Sequence, residues 1–263
     1  MKKIAAIIST VLLLSHPLPC GAADGPDAEA PASVLVCASA DVTGDGRTDT
    51  VCLTGRRLAD NSRFVTGLVL VVNDGLSGET LTLALDMAGY DSSLFTGDFT
   101  GDGVPDVLVR SVTGGSGGIV DSRIATFADS HPAILFGPRH NRGSVFTGQF
   151  LDGWKTELLH QDTGRSVIIG NSHKRDDYVR LGIYDEAGKR RPSDHKPWSN
   201  PFSRLEPAPS PERPGVYELK GWQRIPGAYN ADTLAAVESQ WYYYNGDWLA
   251  RRVDITIRLA DNP

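Results

Sequence analysis

The chain has 263 residues, 22% charged and 40% hydrophobic, with a formal net charge of −6. That length supplies a core for one large domain or two small ones. The acidic balance argues against nucleic acid or anionic lipid as a partner.

Lys2 and Lys3 precede an apolar run over 4–14, and the small residues Gly21, Ala22 and Ala23 follow. This order predicts a secretory signal peptide over 1–23, with cleavage after Ala23. The run is too short to span a bilayer, so no membrane insertion is expected after cleavage. The expected location is secreted, periplasmic or at the cell envelope. Lipidation at Cys20 is disfavoured, because Pro19 stands where Gly, Ala or Ser is usual. Loss of two lysines brings the formal charge to about −8. Residues 24–33, rich in Ala, Pro and acid, read as a disordered leader, and 34–263 as a single repeat domain.

Cys37 and Cys52 flank the stretch 41–49. In an exported protein an even pair reads as a disulfide, here stapling the base of a loop between antiparallel strands. Two buried free thiols are the alternative. Strands are expected at 34–37 and 50–53, then at 64–73 and 79–85 around the turn signal DGLSG. A second round follows at 94–97, 106–113, 119–128 and 133–136. No strong helical periodicity appears. Residues 232–238 suit a short helix or a strand equally.

The rounds repeat. ADVTGDGRTDTVCL begins at Ala40 and GDFTGDGVPDVLVR at Gly97; GQFLDGWKTELLH begins at Gly148 and PGVYELKGW at Pro214. Gly46, Gly103, Gly153 and Gly215 anchor these copies at spacings of 57, 50 and 62 residues, which predicts repeated units of four short strands. The expected fold is all-β, a propeller-like array of about four four-stranded units, partly degenerate. The stretch 191–214 holds seven prolines and is expected to be a surface insertion rather than a strand.

In the first loop Asp41, Thr43, Asp45 and Asp49 fall at positions 1, 3, 5 and 9, with Gly46 at the turn and the Arg47 carbonyl at position 7. Asp98, Thr100, Asp102, the Val104 carbonyl and Asp106 repeat the pattern around Gly103. Such an oxygen set suits Ca2+, and three carboxylates crowded in one turn repel without a cation. Two structural calcium ions are expected, and none at the third loop, where only Asp152 and Glu157 remain. Asp-Gly turns that cap their own backbone are the alternative.

The pattern D-x-T-G-D-G-x-x-D between strands resembles the FG-GAP and VCBS repeat families, as in the calcium loops of integrin α-subunit propellers. Small exported VCBS-type repeat proteins of bacteria are the nearest likeness, through LFTGDFTGDGVPDVLV, GGSGG and QRIPGAYNADTL. The resemblance runs from about Val34 to near the C-terminus and implies calcium at the residues named above.

Gly114–Gly118 reads GGSGG without the Lys-Ser/Thr of a P-loop and is expected to be a turn. His131, His140, His160, His173 and His195 lack metal-ligand spacing, and no Ser nucleophile elbow is present. Asn245-Gly246 signals a tight hairpin within the aromatic run 241–248. Trp241, Tyr243 and Trp248 are its candidate ligand surface. The reading is a non-enzymatic, exported, calcium-binding repeat protein with a binding or scaffold role toward an unknown protein or glycan. A carbohydrate-binding module using the aromatic hairpin is one alternative. An extracellular hydrolase, with Asp176 and Asp177 as its only candidates, is the other.

Overall fold

The computed structural model describes residues 31–59 and 61–257. The expected signal peptide, Cys20 and most of the expected leader lie outside the described residues. Among the described residues fifteen strands form three antiparallel sheets, accompanied by two short α-helices and two single-turn 3-10 helices.

The first sheet is built from β1 (Ser33–Ala40), β2 (Asp49–Arg57), β3 (Phe64–Asn73), β4 (Thr80–Ala84), β5 (Gly89–Gly97), β6 (Asp106–Gly114), β7 (Ile119–Thr126) and β8 (Ala133–Phe136). Its order is β1-β2-β3-β5-β6-β7-β8, with β4 beside β3. Ten-residue β3 joins the first two repeat units. Val69–Asn73 pairs with β4, whereas Phe64 and Val65 pair with Tyr90 and Gly89 of β5. The two units therefore share one hydrogen-bonded sheet instead of standing as separate blades. None of the sheets closes into a barrel or propeller, which corrects the propeller expectation and leaves the all-β class.

After the short helix α1 (Pro138–Asn141), β9 (Phe146–Leu151), β10 (Lys155–His160) and β11 (Ser166–Gly170) form a three-stranded sheet, and α2 (Arg175–Arg180) packs beside it through Tyr178. A four-stranded sheet follows, in the order β12 (Arg204–Pro209), β13 (Tyr217–Pro226), β14 (Thr233–Tyr244), β15 (Asp247–Ile257). Residues 233–238 thus belong to a strand.

β12 corrects the surface-insertion expectation for 191–214. Proline is excluded from central strands because it cannot donate to a ladder on both sides, but an edge strand has one free side. β12 is that edge, with Pro207 opposite Leu219 and Pro209 opposite Tyr217. Phe202 just before it is fully buried, and it lies so close to Gly221 that a Cβ there would meet the ring at 2.2 Å.

Burial follows from strand alternation. In β3 Leu68, Leu70 and Val72 point into one core with Val51, Leu53, Val107 and Val109. β6 is buried on both faces: Leu108 joins a second core with Phe99, Ile124, Phe202, Leu219 and Trp248. A third core lies between the two smaller sheets, around Phe150, Leu158, Tyr184, Ile225 and Val237. The four-stranded sheet is therefore the hub against which both others pack.

Cys37 and Cys52 sit directly opposite in the β1–β2 ladder and are joined by a disulfide. Closing a loop of this size constrains the unfolded chain by about 3 kcal/mol in the chain-entropy model. Cys37→Ser/Cys52→Ser is expected to lower stability by about that amount; denaturant unfolding of oxidised wild type against the variant checks it.

Candidate functional site

The two Asp-Gly loops close on themselves. Asp41 accepts the N–H groups of Gly44, Asp45 and Gly46 at 2.8–3.2 Å, and Asp45 that of Arg47 at 2.7 Å. Buried Asp49 accepts from Val42 N, Thr43 N and the Thr43 hydroxyl through one oxygen, and from Gly75 N through the other. In the second loop Asp98 holds Gly101 N, Gly103 N and the Thr100 hydroxyl. Asp102 holds Val104 N, while Asp106 holds Phe99 N and Thr100 N. Gly46 and Gly103 take φ of 86° and 87°, which only glycine adopts freely.

Carboxylates engaged this way serve as turn caps. Among the described residues no group of three or more His, Cys, Asp or Glu is placed to hold a metal ion. The calcium-binding expectation thus finds no metal-binding group behind it among the described residues, and it is corrected to that extent. At the third loop Asp152 likewise accepts Arg190 N at 2.8 Å.

Asn245 and Gly246 both take positive φ, 49° and 84°, the signature of a type I′ hairpin turn. Across it Tyr243 faces Trp248, and Trp241 faces Ala250. Trp248 is 4% exposed, donates from Nε1 to the Leu135 carbonyl at 3.2 Å and packs edge-on to Phe136 and Tyr243. Trp241 donates to Ser239 Oγ at 2.8 Å and stands perpendicular to Phe202. Tyr243 therefore serves as core, Trp241 and Trp248 pack on core rings and also line a cleft beside β15, and Tyr242 and Tyr244 take the opposite face. The Arg251 guanidinium lies 4.7 Å above Tyr242.

A cleft of about 870 Å3 opens where β15 and the three-stranded sheet part. Phe146, Leu158, Val167, Val253 and Ile255 give it an apolar floor; the turn 160–166, α1 and β15 supply a polar rim. Arg139 is paired with Asp247 at 2.9 Å, Arg251 with Glu218 at 3.0 Å and with Glu212, and Arg252 with Asp254 at 2.5 Å. Among the described residues Arg165, on the same rim, has no carboxylate partner.

Two histidines complete the rim. His140 Nδ1 accepts Gly137 N–H at 2.9 Å, and Nε2 lies 2.9 Å from Asp247 and 3.0 Å from Arg139 Nε. Burial lowers the His140 pKa against the pull of Asp247, and that hydrogen bond holds Asp247 below the usual carboxylate range. His160 is 9% exposed at its side chain, lies against the Phe146 ring and contacts Thr163 Oγ1 through Nδ1 at 2.8 Å. Its Nε2 has no hydrogen-bond partner and stands 3.6 Å from Asp162. Thr163 also accepts Arg165 N–H at 3.4 Å, so the His160–Thr163 contact closes a turn.

The five histidines show no metal-ligand spacing along the chain; the fold brings His140 and His160 to one cleft. Their separation of twenty residues carries no motif, and only the packing of α1 beside the β10–β11 turn unites them. Asp176 is exposed on α2, Asp177 is paired with Arg180 at 2.7 Å, and neither lines the cleft. GGSGG is a turn between β6 and β7, held by Arg224 donating to the Ser116 and Gly117 carbonyls.

Fold and cleft define an all-β protein of three packed antiparallel sheets, with a cleft between the second and third. The chain is 31% identical over 231 residues to the uncharacterized protein YybI of Bacillus subtilis (strain 168), covering 87% of each. The family model of the YybI C-terminal domain matches residues 144–256, the part that builds the two smaller sheets. The chain belongs to the YybI family. This corrects the FG-GAP and VCBS resemblance, which rested on the two loops together with GGSGG and QRIPGAYNADTL. Among solved structures, rhamnogalacturonan lyase PL11 of Bacillus licheniformis is 13% identical with a TM-score of 0.35, and the exotype rhamnogalacturonan lyase YesX 14% with 0.36. The chain is 85% covered in both but spans only 34% and 33% of theirs. Likeness this low says nothing about activity. No helix among the described residues is long and apolar enough to cross a membrane.

Proposed function

We propose that the protein is a non-catalytic binding protein acting outside the cytoplasm, with its partner seated in the cleft beside β15. The cleft carries this reading: an apolar floor inside a rim of fixed ion pairs is the usual form of a ligand site. Carboxylates already paired with arginines are poor acids or bases for chemistry, but they present donors and acceptors in set directions. The signal sequence and the Cys37–Cys52 bridge support an oxidising, extracytoplasmic setting.

The test compares wild type with Val167→Trp, which fills the cleft floor, on peptide and glycan arrays. Ligands retained by wild type are expected to be lost by the variant at unchanged melting temperature. Ligands indifferent to Val167→Trp would place binding elsewhere, and sustained turnover in a hydrolase panel would overturn the non-catalytic reading.

A further inference from the structure

We infer that the cleft takes an extended polypeptide segment, which adds as a fifth strand to the open edge of β15; this rests on the cleft being the binding site. β15 is the last strand of its sheet, eleven residues long, with β14 on one side only. The residues that line the cleft run consecutively from Trp248 to Val253. A strand that shows its face to a cavity lines it with every second residue, because side chains alternate. Consecutive lining means that the cavity runs along the strand's edge.

The backbone there is open. The two-residue turn makes Tyr244–Asp247 and Tyr242–Leu249 the hydrogen-bonded pairs, so Trp248 and Ala250 turn their N–H and C=O groups away from β14. Among the described residues, the one hydrogen bond of the β15 backbone outside its ladder runs from Trp248 N–H to the Asp247 carboxylate. Unpaired edge groups of this kind are a template for another chain, and proteins that do not use them cover, shorten, bulge or charge the edge. Here the edge is long. Arg251 sits at a bulge where the β14–β15 register shifts, and Arg252 and Asp254 are charged. Those features discourage broad sheet-to-sheet contact and leave a single strand as the form of partner.

Main-chain bonds to the edge would supply affinity, and pockets for alternate side chains specificity. Phe146, Leu158 and Val167 face β15 as the apolar wall, and Arg165 stands free at the rim for an acidic residue. The occupant is therefore an extended segment with alternating apolar side chains and an acid near one end.

A random-sequence peptide display library supplies the probe, and anisotropy of the best labelled peptide gives its affinity. Ala250→Pro removes one outward N–H and no β14 ladder bond; it is expected to weaken binding about tenfold or more. N-methylation of the peptide at alternate residues is expected to abolish binding to wild type, and at the intervening residues to leave it unchanged. This second readout does not depend on how the variant folds. Peptide binding indifferent to N-methylation at every position would overturn strand addition. Glycan-array ligands lost in Val167→Trp, with no peptide recovered, would overturn the peptide inference while the cleft reading stands. Recovery of neither class would overturn both.

Discussion

Asp232→Ala is expected to destabilise the protein by about 3 kcal/mol, the largest loss from a single side-chain truncation outside the apolar cores. The Asp232 side chain is 3% exposed and accepts from three directions: the Lys174 ammonium, the Tyr178 hydroxyl at 2.8 Å and Ala228 N–H at 2.8 Å. These partners come from the segment before α2, from α2 itself and from the β13–β14 turn, so one carboxylate ties the second sheet's helix to the third sheet. Tyr178 is fully buried, and desolvation with the adjacent Asp232 charge pushes its pKa far above the ordinary phenol. Its hydroxyl stays protonated and needs an acceptor. Removing Asp232 strands that hydroxyl and a partly buried ammonium. Asp232→Asn keeps an acceptor for Tyr178 and is expected to cost about half as much, the remainder reflecting the lost charge on Lys174. Urea unfolding of the three proteins measures both. Equal stability of Asp232→Ala and wild type would mean that α2 is not held by this contact.

Much of the local structure was legible. Residues 64–73 and 133–136 match β3 and β8, because their apolar runs are bounded by polar or turn residues on both sides. The Cys37–Cys52 pairing and the Asn245–Gly246 turn were readable because each depends on neighbours in the chain. Arrangement of the sheets was not. The repeat marks the unit, but whether units stand as blades or merge depends on how far β3 reaches past β4 to pair with β5. The FG-GAP likeness failed for a related reason. D-x-T-G-D-G-x-x-D encodes a turn closed by aspartates, a local device that different packings can share. Nor was the cleft legible. His140, His160 and Arg165 lie about 80 to 110 residues before β15, and the hairpin tryptophans pack on Phe99, Phe136 and Phe202 while lining the cleft with another edge.

Asp106→Asn is expected to make the protein more stable than wild type above pH 7 and to leave the two nearly equal only below about pH 4. Asp106 is 1% exposed, and burial, reinforced by the Asp102 charge, pushes its pKa up to about 7 against the bonds from Phe99 and Thr100. Its folded value thus lies above the ordinary 3.8. The favourable contribution of the protonated carboxyl is complete below 3.8 and is lost as pH rises through about 7. The separation of those values bounds the effect at about 4 kcal/mol. Asparagine keeps a carbonyl oxygen for Phe99 N and Thr100 N and offers an amide to Thr126, without a charge to bury. A loop closed by its own hydrogen bonds also predicts coincident melting curves in calcium and in chelator, for wild type and variant alike. Calcium ligation would reverse both results: the ion would hold Asp106 ionised, Asn would weaken the loop at every pH, and chelator would lower the wild-type melting temperature toward that of the variant.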